Sequence, residues 1–159
     1  GALGKGRLVD LVTDRLLECA AQASADAAVV VDASGDIRLA GTTERIALEH
    51  PYDPDKAIGV WQVADGTLCA SAANRRAWGE VLHHVLDART GEPVTTIAAT
   101  WALAPTATLA DALATALFFD GGPALAHRWG VEGVRMTTTG RLEWSAGAVD
   151  AGADLFVGR

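Results

Sequence analysis

The sequence predicts an α+β fold in which a layered mixed or antiparallel sheet carries inserted helices. Short β-branched or alternating segments recur with Gly- and Asp-containing turns between them, a pattern typical of hairpins. Helical periodicity appears near the start of the chain and again after residue 104. Regular βαβ alternation is lacking, and no GxGxxG follows the first strand, so a dinucleotide-binding Rossmann fold is disfavoured.

Length and composition limit the classes of protein to which the chain can belong. The chain has 159 residues, which fits one domain (residues 1–159) with a real core. Half of the residues are hydrophobic and 21% are charged, as in globular proteins. The net charge of −7 and the lack of a basic patch argue against a nucleic-acid or anionic-membrane partner. The sequence has neither a membrane-spanning stretch nor a signal peptide, and it leaves localisation undetermined.

The first predicted element is a helix over residues 6–24, in which apolar side chains follow helical spacing. These are Leu8, Leu11, Val12, Leu16, Cys19 and Ala20. Gly4 and Gly6 are expected to form the turn that opens this helix. Amides at such a turn favour an anion, and Lys5 adds a positive charge beside them. A plain turn without a ligand is the alternative.

Two cysteines, Cys19 and Cys69, lie in apolar sequence surroundings without a CxxC pair or a nearby histidine at ligand spacing. We expect buried free thiols, with a disulfide between the two as the alternative.

The middle of the chain predicts strands and hairpins. The predicted strands cover residues 27–32, 37–40, 45–50, 58–63 and 67–71, and a short strand starts at 82. Residues 51–55 read as a loop rich in Pro and Asp, and residues 74–78 as a polar link. Residues 95–104 are apolar on both faces, which predicts a central strand.

The helix predicted over 107–119 is the element with the clearest chemistry. Leu109, Leu113 and Leu117 form one apolar stripe, and Asp111 and Thr115 lie together nearly opposite. Both faces therefore look buried, and a buried carboxylate needs a partner. A second helix over 122–129, a hairpin of residues 134–138 and 141–144, and a tail or last strand over 149–158 follow.

Asp111 and Thr115 have two interpretations. A carboxylate and a hydroxyl one turn apart suit Mg²⁺, which takes few protein oxygens and shares phosphates. Alternatively, Thr108 is the N-cap and Asp111 folds back over the first turn as a capping box.

Two further polar clusters precede the central strand. If residues 83–86 are extended, His83 and His84 point to opposite faces, so only one lines a given site. Asp87 and Thr90 fit a turn-stabilising role as well as a functional one. Asn74, Arg75 and Arg76 could bind phosphate, although solvation at the surface is the default for such a group.

The motifs occur in the order GKG plus helix, VVVDASGDI, LCASAANRRAW, HHVLDARTGEP and APTATLADALATAL. This series resembles the ApbE family of flavin transferases over residues 1 to about 145. The family's motifs are a KG turn, GGDI, TSG, H-x-x-D-P-x-T-G and P-x-x-x-x-A-D-A-x-x-T. The HHVLDARTG and ADALATAL matches are the specific ones. The resemblance implies an ApbE-like fold and an FAD:protein FMN transferase, which moves FMN from FAD onto a threonine of an acceptor protein.

The resemblance also implies roles for particular residues. Asp111, Thr115 and a backbone carbonyl of the first turn, assigned to Ala2, would hold Mg²⁺. His84 would activate the acceptor hydroxyl or steady the reacting phosphate. The residues that would bind FAD are Lys5, Ser71, Asp87, Arg89, Thr90 and Gly91.

The chain departs from the family pattern in places. Ala88 replaces a proline, Ser34 a glycine, and Ala72–Ala73 the Ser-Gly of TSG. The family's members are longer, so the chain is expected to be the C-terminal half, with a preceding segment or second chain completing the site. Many members are exported lipoproteins, so an exported and a cytoplasmic location both stay open. Alternative functions are Mg²⁺-dependent hydrolysis of FAD to FMN and AMP, and a non-catalytic flavin-binding or interaction module.

Overall fold

The chain forms a six-stranded sheet with helices on one face and a smaller sheet on the other. This computed structural model describes residues 3–24, 27–73, 77–78 and 82–157. The helices are α1 (Gly4–Ala21), α2 (Ala107–Ala116) and α3 (Gly122–Arg128). The strands are β1 (Val29–Asp32), β2 (Asp36–Ala40), β3 (Thr43–His50), β4 (Asp53–Ala64), β5 (Thr67–Ala72), β6 (Ala77–Trp78), β7 (Leu82–His83), β8 (Ile97–Ala104), β9 (Glu132–Thr137), β10 (Leu142–Trp144) and β11 (Ala153–Leu155).

The strand order of the main sheet is β1-β2-β5-β8-β9-β10, and each neighbouring pair is antiparallel. A three-stranded antiparallel sheet has the order β11-β4-β3. The short strands β6 and β7 pair with each other. The predicted α+β fold with an antiparallel layered sheet is therefore confirmed, including the β1–β2 hairpin at residues 33–35 and the last strand.

Strand β8 separates the two halves of the core. Ala99 and Trp101 belong to the cluster between the two sheets, and Ala102 belongs to the cluster under the helices. On the helix side, the Thr100 hydroxyl donates to the carbonyl of Ala114 in α2 at 2.6 Å. Because successive residues of a strand point to opposite faces, an apolar run of this length fits a strand covered on both sides. The predicted central strand is confirmed.

Helix α1 differs from its prediction at its start. It begins at Gly4 rather than after a glycine turn, and Gly6 lies within it. A Cβ at Gly6 would lie 2.7 Å from the carbonyl carbon of Ala107 and 2.8 Å from the Cβ of Asp111. The predicted opening turn is thus wrong, because Gly6 serves the close approach of α1 to α2.

The apolar residues of α1 do have helical spacing, but they face outwards. Its buried residues are Gly6, Val9, Asp10 and Thr13, whereas Leu8, Leu11, Val12 and Leu16 are exposed. Cys19 is also exposed, so its predicted burial is wrong, while Cys69 is buried as expected. Both thiols are free.

Two other local predictions fail for identifiable reasons. Helix α2 is capped by Thr106, whose hydroxyl accepts from the Leu109 amide, and not by Thr108. Residues 53–55 belong to β4 rather than to a loop, because His50 pairs with Asp53 across a two-residue turn. Within the described residues, none of the helices is long and apolar enough to cross a membrane.

Candidate functional site

A cleft of about 960 Å³ opens where the first turn of α1, the β1–β2 turn, the end of β5, the loop after β7 and α2 meet. Five of the residues predicted from the sequence as site residues line it. They are Lys5, Ser71, His84, Asp111 and Thr115. The fold therefore gathers these side chains from three separate elements and one loop into a single concave surface, which is the usual setting of a ligand site.

Asp111 is held at the cleft by α1. It is 6% exposed, and its Oδ2 accepts a hydrogen bond from the backbone amide of Gly6 at 2.9 Å. In the described part of the chain, Oδ1 of Asp111 accepts no hydrogen bond. The capping-box interpretation is wrong, because Asp111 binds an amide of another helix. The Gly6 amide, which was expected to favour a bound anion, thus donates to a carboxylate of the protein itself.

Thr115 lies one turn after Asp111 and also lines the cleft. Its hydroxyl donates to the backbone carbonyl of Asp111 at 3.3 Å, a bond that leaves the lone pairs of the hydroxyl oxygen available. Asp111 and Thr115 thus present two hard oxygen donors from one face of α2.

Asp10 is a structural residue that sequence reasoning missed. Its Oδ1 accepts from the Ala107 amide at 2.8 Å, and its Oδ2 accepts from the amide and the hydroxyl of Thr108 at 2.9 and 2.6 Å. Arg38 pairs with the same carboxylate. Burial raises the pKa of Asp10, but the bonds from Thr108 and Ala107 and the charge of Arg38 outweigh it and leave the pKa below its ordinary value. The sequence held no signal for this role, because helical spacing puts Asp10 on the side of α1 opposite its apolar residues, which is the side expected to face water.

Lys5 is anchored by Asp36, a third buried acid beside Asp10 and Asp111. Its Nζ lies 3.2 Å from Oδ1 of Asp36 and donates to the carbonyl of Ser34 at 3.3 Å. Asp36 is 1% exposed, and among the described residues neither of its carboxylate oxygens has a hydrogen-bond partner of favourable geometry. Burial, followed by the negative charge of Asp111, raises the pKa of Asp36. The ammonium group therefore partly offsets the negative charge at this end of the cleft.

The two histidines have different surroundings, although β7 ends at His83 and does not extend over residues 83–86 as the predicted alternation assumed. His83 is held by backbone groups: its Nε2 lies 2.9 Å from the carbonyl of Val94, and its Nδ1 accepts from the Val85 amide at 3.2 Å. These partners fit a neutral ring with the proton on Nε2. His84 is exposed and lines the cleft. His83 thus has a structural role, and His84 is the histidine that lines the cleft.

The predicted nucleotide loop forms a compact turn outside the cleft lining. Asp87 accepts from the backbone amide and the guanidinium of Arg89, as in an Asx turn. Hydrogen bonds from the Arg89 side chain lower the pKa of Asp87 to about 2. Thr90 accepts from the Glu92 amide at 3.2 Å, and Gly91 has a φ of +75°. The structure does not bring these four residues to the cleft, and a role in binding stays a prediction.

Further residues line the cleft that were not predicted as site residues, although Asp32, Ser34 and Gly35 belong to the VVVDASGDI motif. Aromatic side chains of Trp101, Phe118 and Phe119 line it, as do Asp32, Ser34, Gly35 and Glu49. Ser34 has a φ of +60° in the β1–β2 turn, a conformation that favours glycine. Ala2 and the trio Asn74, Arg75 and Arg76 lie outside the described residues.

The donor set of the cleft limits which cation it could hold. Over the described ranges, no three His, Cys, Asp or Glu side chains are grouped as metal ligands. A transition-metal centre built from such side chains is therefore not formed by these residues. One buried carboxylate with an adjacent hydroxyl suits Mg²⁺, which keeps several waters and shares the oxygens of a phosphate ligand.

Comparison with known proteins identifies related folds. The model of the ApbE family matches residues 1–134. The ApbE protein of Thermotoga maritima superposes with a TM-score of 0.75 at 26% identity, covering 89% of this chain and 50% of its own. The flavin transferase ApbE of Vibrio cholerae superposes with a TM-score of 0.73 at 24% identity, and the match covers 94% of this chain and 50% of that protein. The flavinyl transferase ApbE of Pseudomonas stutzeri superposes with a TM-score of 0.71 at 25% identity, and the match covers 94% of this chain and 49% of that protein.

No curated protein sequence matches the chain. The chain spans about half the length of the solved structures to which it is similar. The family match extends over α1, the β1–β2 turn, β5, the loop after β7 and α2, which together form the cleft. On this match, the chain belongs to the ApbE family.

Proposed function

We propose that this chain carries the metal and phosphate half of the active site of a Mg²⁺-dependent FAD:protein FMN transferase. The acceptor is a threonine hydroxyl of another protein, and the product is a phosphoester. The observation that carries the proposal is that Lys5, Ser71, His84, Asp111 and Thr115 line one cleft. Membership of the ApbE family and similarity to proteins described as flavin transferases support the same reaction class.

Asp111 and Thr115 are the residues that would hold the cation. Burial at 6% exposure favours neutralisation of the Asp111 carboxylate by a partner of opposite charge. The Gly6 amide fixes the orientation of that carboxylate through Oδ2. Bound Mg²⁺ would neutralise charge on the pyrophosphate of FAD and on the AMP leaving group.

His84 is the general base of the proposed reaction. The threonine oxygen bonds to the phosphorus of the FMN half of FAD, and the bond from that phosphorus to the bridging oxygen breaks. AMP leaves with the bridging oxygen, and the imidazole of His84 takes the proton of the threonine hydroxyl. The location of His84 at the open side of the cleft suits contact with an acceptor that arrives from solution.

Lys5 and Ser71 are proposed to orient FAD. The ammonium group of Lys5 lies at the cleft with 43% of its side chain exposed, so a phosphate oxygen can reach it. Ser71 offers a hydroxyl from the end of β5. The Asp87–Gly91 turn is proposed to contact the nucleotide only when FAD extends beyond the cleft lining.

The test is calorimetric titration of the chain with FAD, with and without Mg²⁺, followed by measurement of the AMP released after a threonine-bearing acceptor protein is added. We expect FAD binding that depends on Mg²⁺ and is lost in Asp111→Ala, with a smaller loss in Thr115→Val. His84→Ala should retain binding and lose AMP release, because its imidazole acts on the proton and not on the cation. Asp150→Asn, which removes an exposed charge elsewhere, is the matched control.

FAD binding that is the same with and without Mg²⁺, and is unchanged in Asp111→Ala, would refute the proposed site. Release of AMP and free FMN in the presence of a threonine-bearing acceptor, without covalent flavin on that acceptor, would instead indicate the hydrolase. Covalent flavin on the acceptor would support the transferase.

A further inference from the structure

The ion pair between Lys5 and Asp36 joins a cation at the cleft to a carboxylate that lies behind it. The side chain of Lys5 is 43% exposed and lines the cleft, whereas that of Asp36 is 1% exposed and does not line it. The Lys5 Nζ and Asp36 Oδ1 atoms are 3.2 Å apart. A ligand in the cleft would therefore meet the ammonium group and not the carboxylate.

Asp36 depends on Lys5 as its charged partner. Asp36 begins β2 directly opposite Cys69 of β5, and residues opposite each other on paired strands share one face of the sheet. Since Cys69 belongs to the cluster under the helices, the carboxylate lies on the helix side. Burial, followed by the negative charge of Asp111, raises the pKa of Asp36, and the ammonium group of Lys5 is the largest effect that opposes this shift. A carboxylate buried there without a cation would be strongly unfavourable.

Lys5 is also held by the β1–β2 turn. Its Nζ donates to the carbonyl of Ser34 at 3.3 Å. The turn itself is fixed, because the Ser34 amide donates to Oδ1 of Asp32 at 2.9 Å and the Ala70 amide donates to the carbonyl of Gly35 at 2.7 Å. Ordering a free lysine side chain on ligand binding would cost conformational entropy. Here that entropy is lost on folding, so the ammonium group is in place before a ligand arrives.

We propose that Asp36 is a positioning residue that holds Lys5 as a built-in cation for the diphosphate group of the ligand. This inference rests on the proposed function, in which the pyrophosphate of FAD lies in the cleft. Lys5 directly precedes Gly6, whose amide binds Asp111, so the ammonium group and the candidate Mg²⁺ ligands Asp111 and Thr115 line the same cleft. Mg²⁺ is the exchangeable cation of this arrangement, and Lys5 is the permanent one. Asp36 acts on the ligand only through Lys5.

Two effects of the Asp36 carboxylate predict opposite outcomes when it is removed. Asp36→Asn takes a negative charge away from an anion site, and Coulomb's law alone predicts tighter binding of pyrophosphate. If Asp36 positions Lys5, the same substitution releases the ammonium group and weakens binding. The expected loss is about ten-fold or more, as for residues that orient the ligands of a metal. The sign of the change in affinity therefore distinguishes positioning from the simple effect of charge.

The experiment measures binding of inorganic pyrophosphate to the chain by calorimetry in the presence of Mg²⁺. Pyrophosphate reports on the phosphate site without the flavin and adenine contacts of FAD. The variants are Asp36→Asn, Lys5→Met and the double variant. We expect each single variant to bind at least about ten-fold more weakly than the unmodified chain. The double variant should bind no more weakly than Lys5→Met, because Asp36 acts through the ammonium group.

Asp32→Asn is the matched control. Asp32 is exposed and lines the cleft, so the substitution removes a negative charge from the same site. An asparagine at this position can still accept the hydrogen bond from the Ser34 amide and keep the turn. Pyrophosphate binding should therefore tighten in Asp32→Asn, the direction opposite to that expected for Asp36→Asn.

Labelling of the lysines tests the role of Lys5 directly. The chain has two lysines, and the second, Lys56, lies outside the cleft lining and pairs with Asp53 at 2.6 Å. Reductive methylation of both is followed by mass spectrometry. Mg²⁺ with pyrophosphate at ten times its dissociation constant should slow methylation of Lys5 about ten-fold and leave Lys56 unaffected. At the same concentration, Lys5 of Asp36→Asn should be slowed by no more than about two-fold.

These measurements can overturn the proposal in three ways. Pyrophosphate binding that is unchanged or tighter in Asp36→Asn would do so, as would a lack of protection of Lys5 in the unmodified chain. A double variant that is weaker than Lys5→Met by the full effect of Asp36→Asn would show that Asp36 acts independently of Lys5. Urea unfolding verifies that each variant is folded, and Asp36→Ser, which is smaller and also uncharged, replaces Asp36→Asn if that variant does not fold.

Failure of the proposed function would be recognised separately. Protection of Lys5 that depends on Asp36, without transfer of flavin to an acceptor or release of AMP from FAD, would refute the proposed reaction. That result would still support Asp36 as the residue that positions Lys5 for a diphosphate.

Discussion

Asp10 is a charged side chain inside α1 that holds the start of α2. The first amides of a helix lack partners within the helix, and a carboxylate there also meets the positive end of the helix dipole. Asp10 supplies the carboxylate from another element, through bonds to Ala107 and Thr108. Thr106 makes a longer capping bond of 3.4 Å within the same turn. The N-terminus of the helix that carries Asp111 therefore depends on a residue almost a hundred positions earlier.

We predict that Asp10→Asn destabilises the protein by about 2 kcal/mol at pH 7, the range for charge-assisted hydrogen bonds. The pKa of Asp10 is lowered in the folded state. The contribution of Asp10 to the free energy of unfolding is therefore complete above the ordinary carboxyl pKa of about 4. It is lost as the pH falls through the lowered pKa of the folded state. Urea unfolding of both proteins at pH 7 and near pH 2 measures this difference, which should shrink in acid.

Thr108→Val gives a matched test of the same contact. Since the Thr108 hydroxyl binds the Asp10 carboxylate, the two substitutions should couple by about 1 kcal/mol in a double-mutant cycle. Additive losses would contradict a direct interaction. Asp150→Asn should change stability by less than about 0.5 kcal/mol.

At the scale of elements, the contact between α1 and α2 determines the geometry of the candidate metal site. Gly6 lets the two helices approach until its amide reaches Oδ2 of Asp111. The same approach puts Lys5, the preceding residue, at the cleft. One glycine therefore positions both the carboxylate of α2 and the cation of α1.

Gly6→Ala is predicted to destabilise the protein by about 1–3 kcal/mol, the range for overpacking, and to weaken Mg²⁺-dependent FAD binding. The new methyl group would overlap the backbone of Ala107, so the helices must separate. Urea unfolding and calorimetry measure the two effects.

Gly4→Ala is the control within the same helix. Nothing lies within 4 Å of a Cβ at Gly4, so this substitution should be neutral or stabilise α1 by about 0.5 kcal/mol. Equal effects at both positions would argue that helix propensity, and not packing, explains the result.

At the scale of the whole molecule, Trp61 joins the two sheets. It is fully buried in the cluster between them, and its indole Nε1 donates to the carbonyl of Ala151 at 2.9 Å. Leu39 and Leu68 of the main sheet and Leu48 of the small sheet belong to the same cluster. Without this layer, the face of the main sheet that lies opposite the helices would be uncovered.

We predict that Trp61→Ala destabilises the protein by about 3–5 kcal/mol, since it removes the indole and leaves a cavity. Trp61→Phe keeps most of the side-chain volume but removes the hydrogen bond to Ala151, so the free energy of unfolding should fall by about 1 kcal/mol. Trp129→Ala, at a residue that is 60% exposed, should change stability by less than about 0.5 kcal/mol. Chemical unfolding measures all three, and a Trp61→Ala protein as stable as Trp129→Ala would contradict the proposed layer.

Much of the fold was determined by the sequence itself. The VVVDASGDI hairpin, the apolar β8 and helix α2 rest on local periodicity and turn chemistry, and the structure confirms each. The arrangement of Asp111 and Thr115 on one face of α2 is also local, because residues four apart are neighbours on any α-helix. The order of motifs along the chain indicated the ApbE family, which the family match confirms.

Tertiary structure alone decided the partners of these residues. Asp10, Asp36 and Gly6 act through contacts with distant parts of the chain, such as α2 for Gly6. The outward orientation of Leu8 and Leu16 likewise contradicts what their spacing suggests for an isolated helix. Periodicity shows that a helix has two faces, but burial depends on which face meets the rest of the protein. That choice belongs to long-range packing, and no local pattern encodes it.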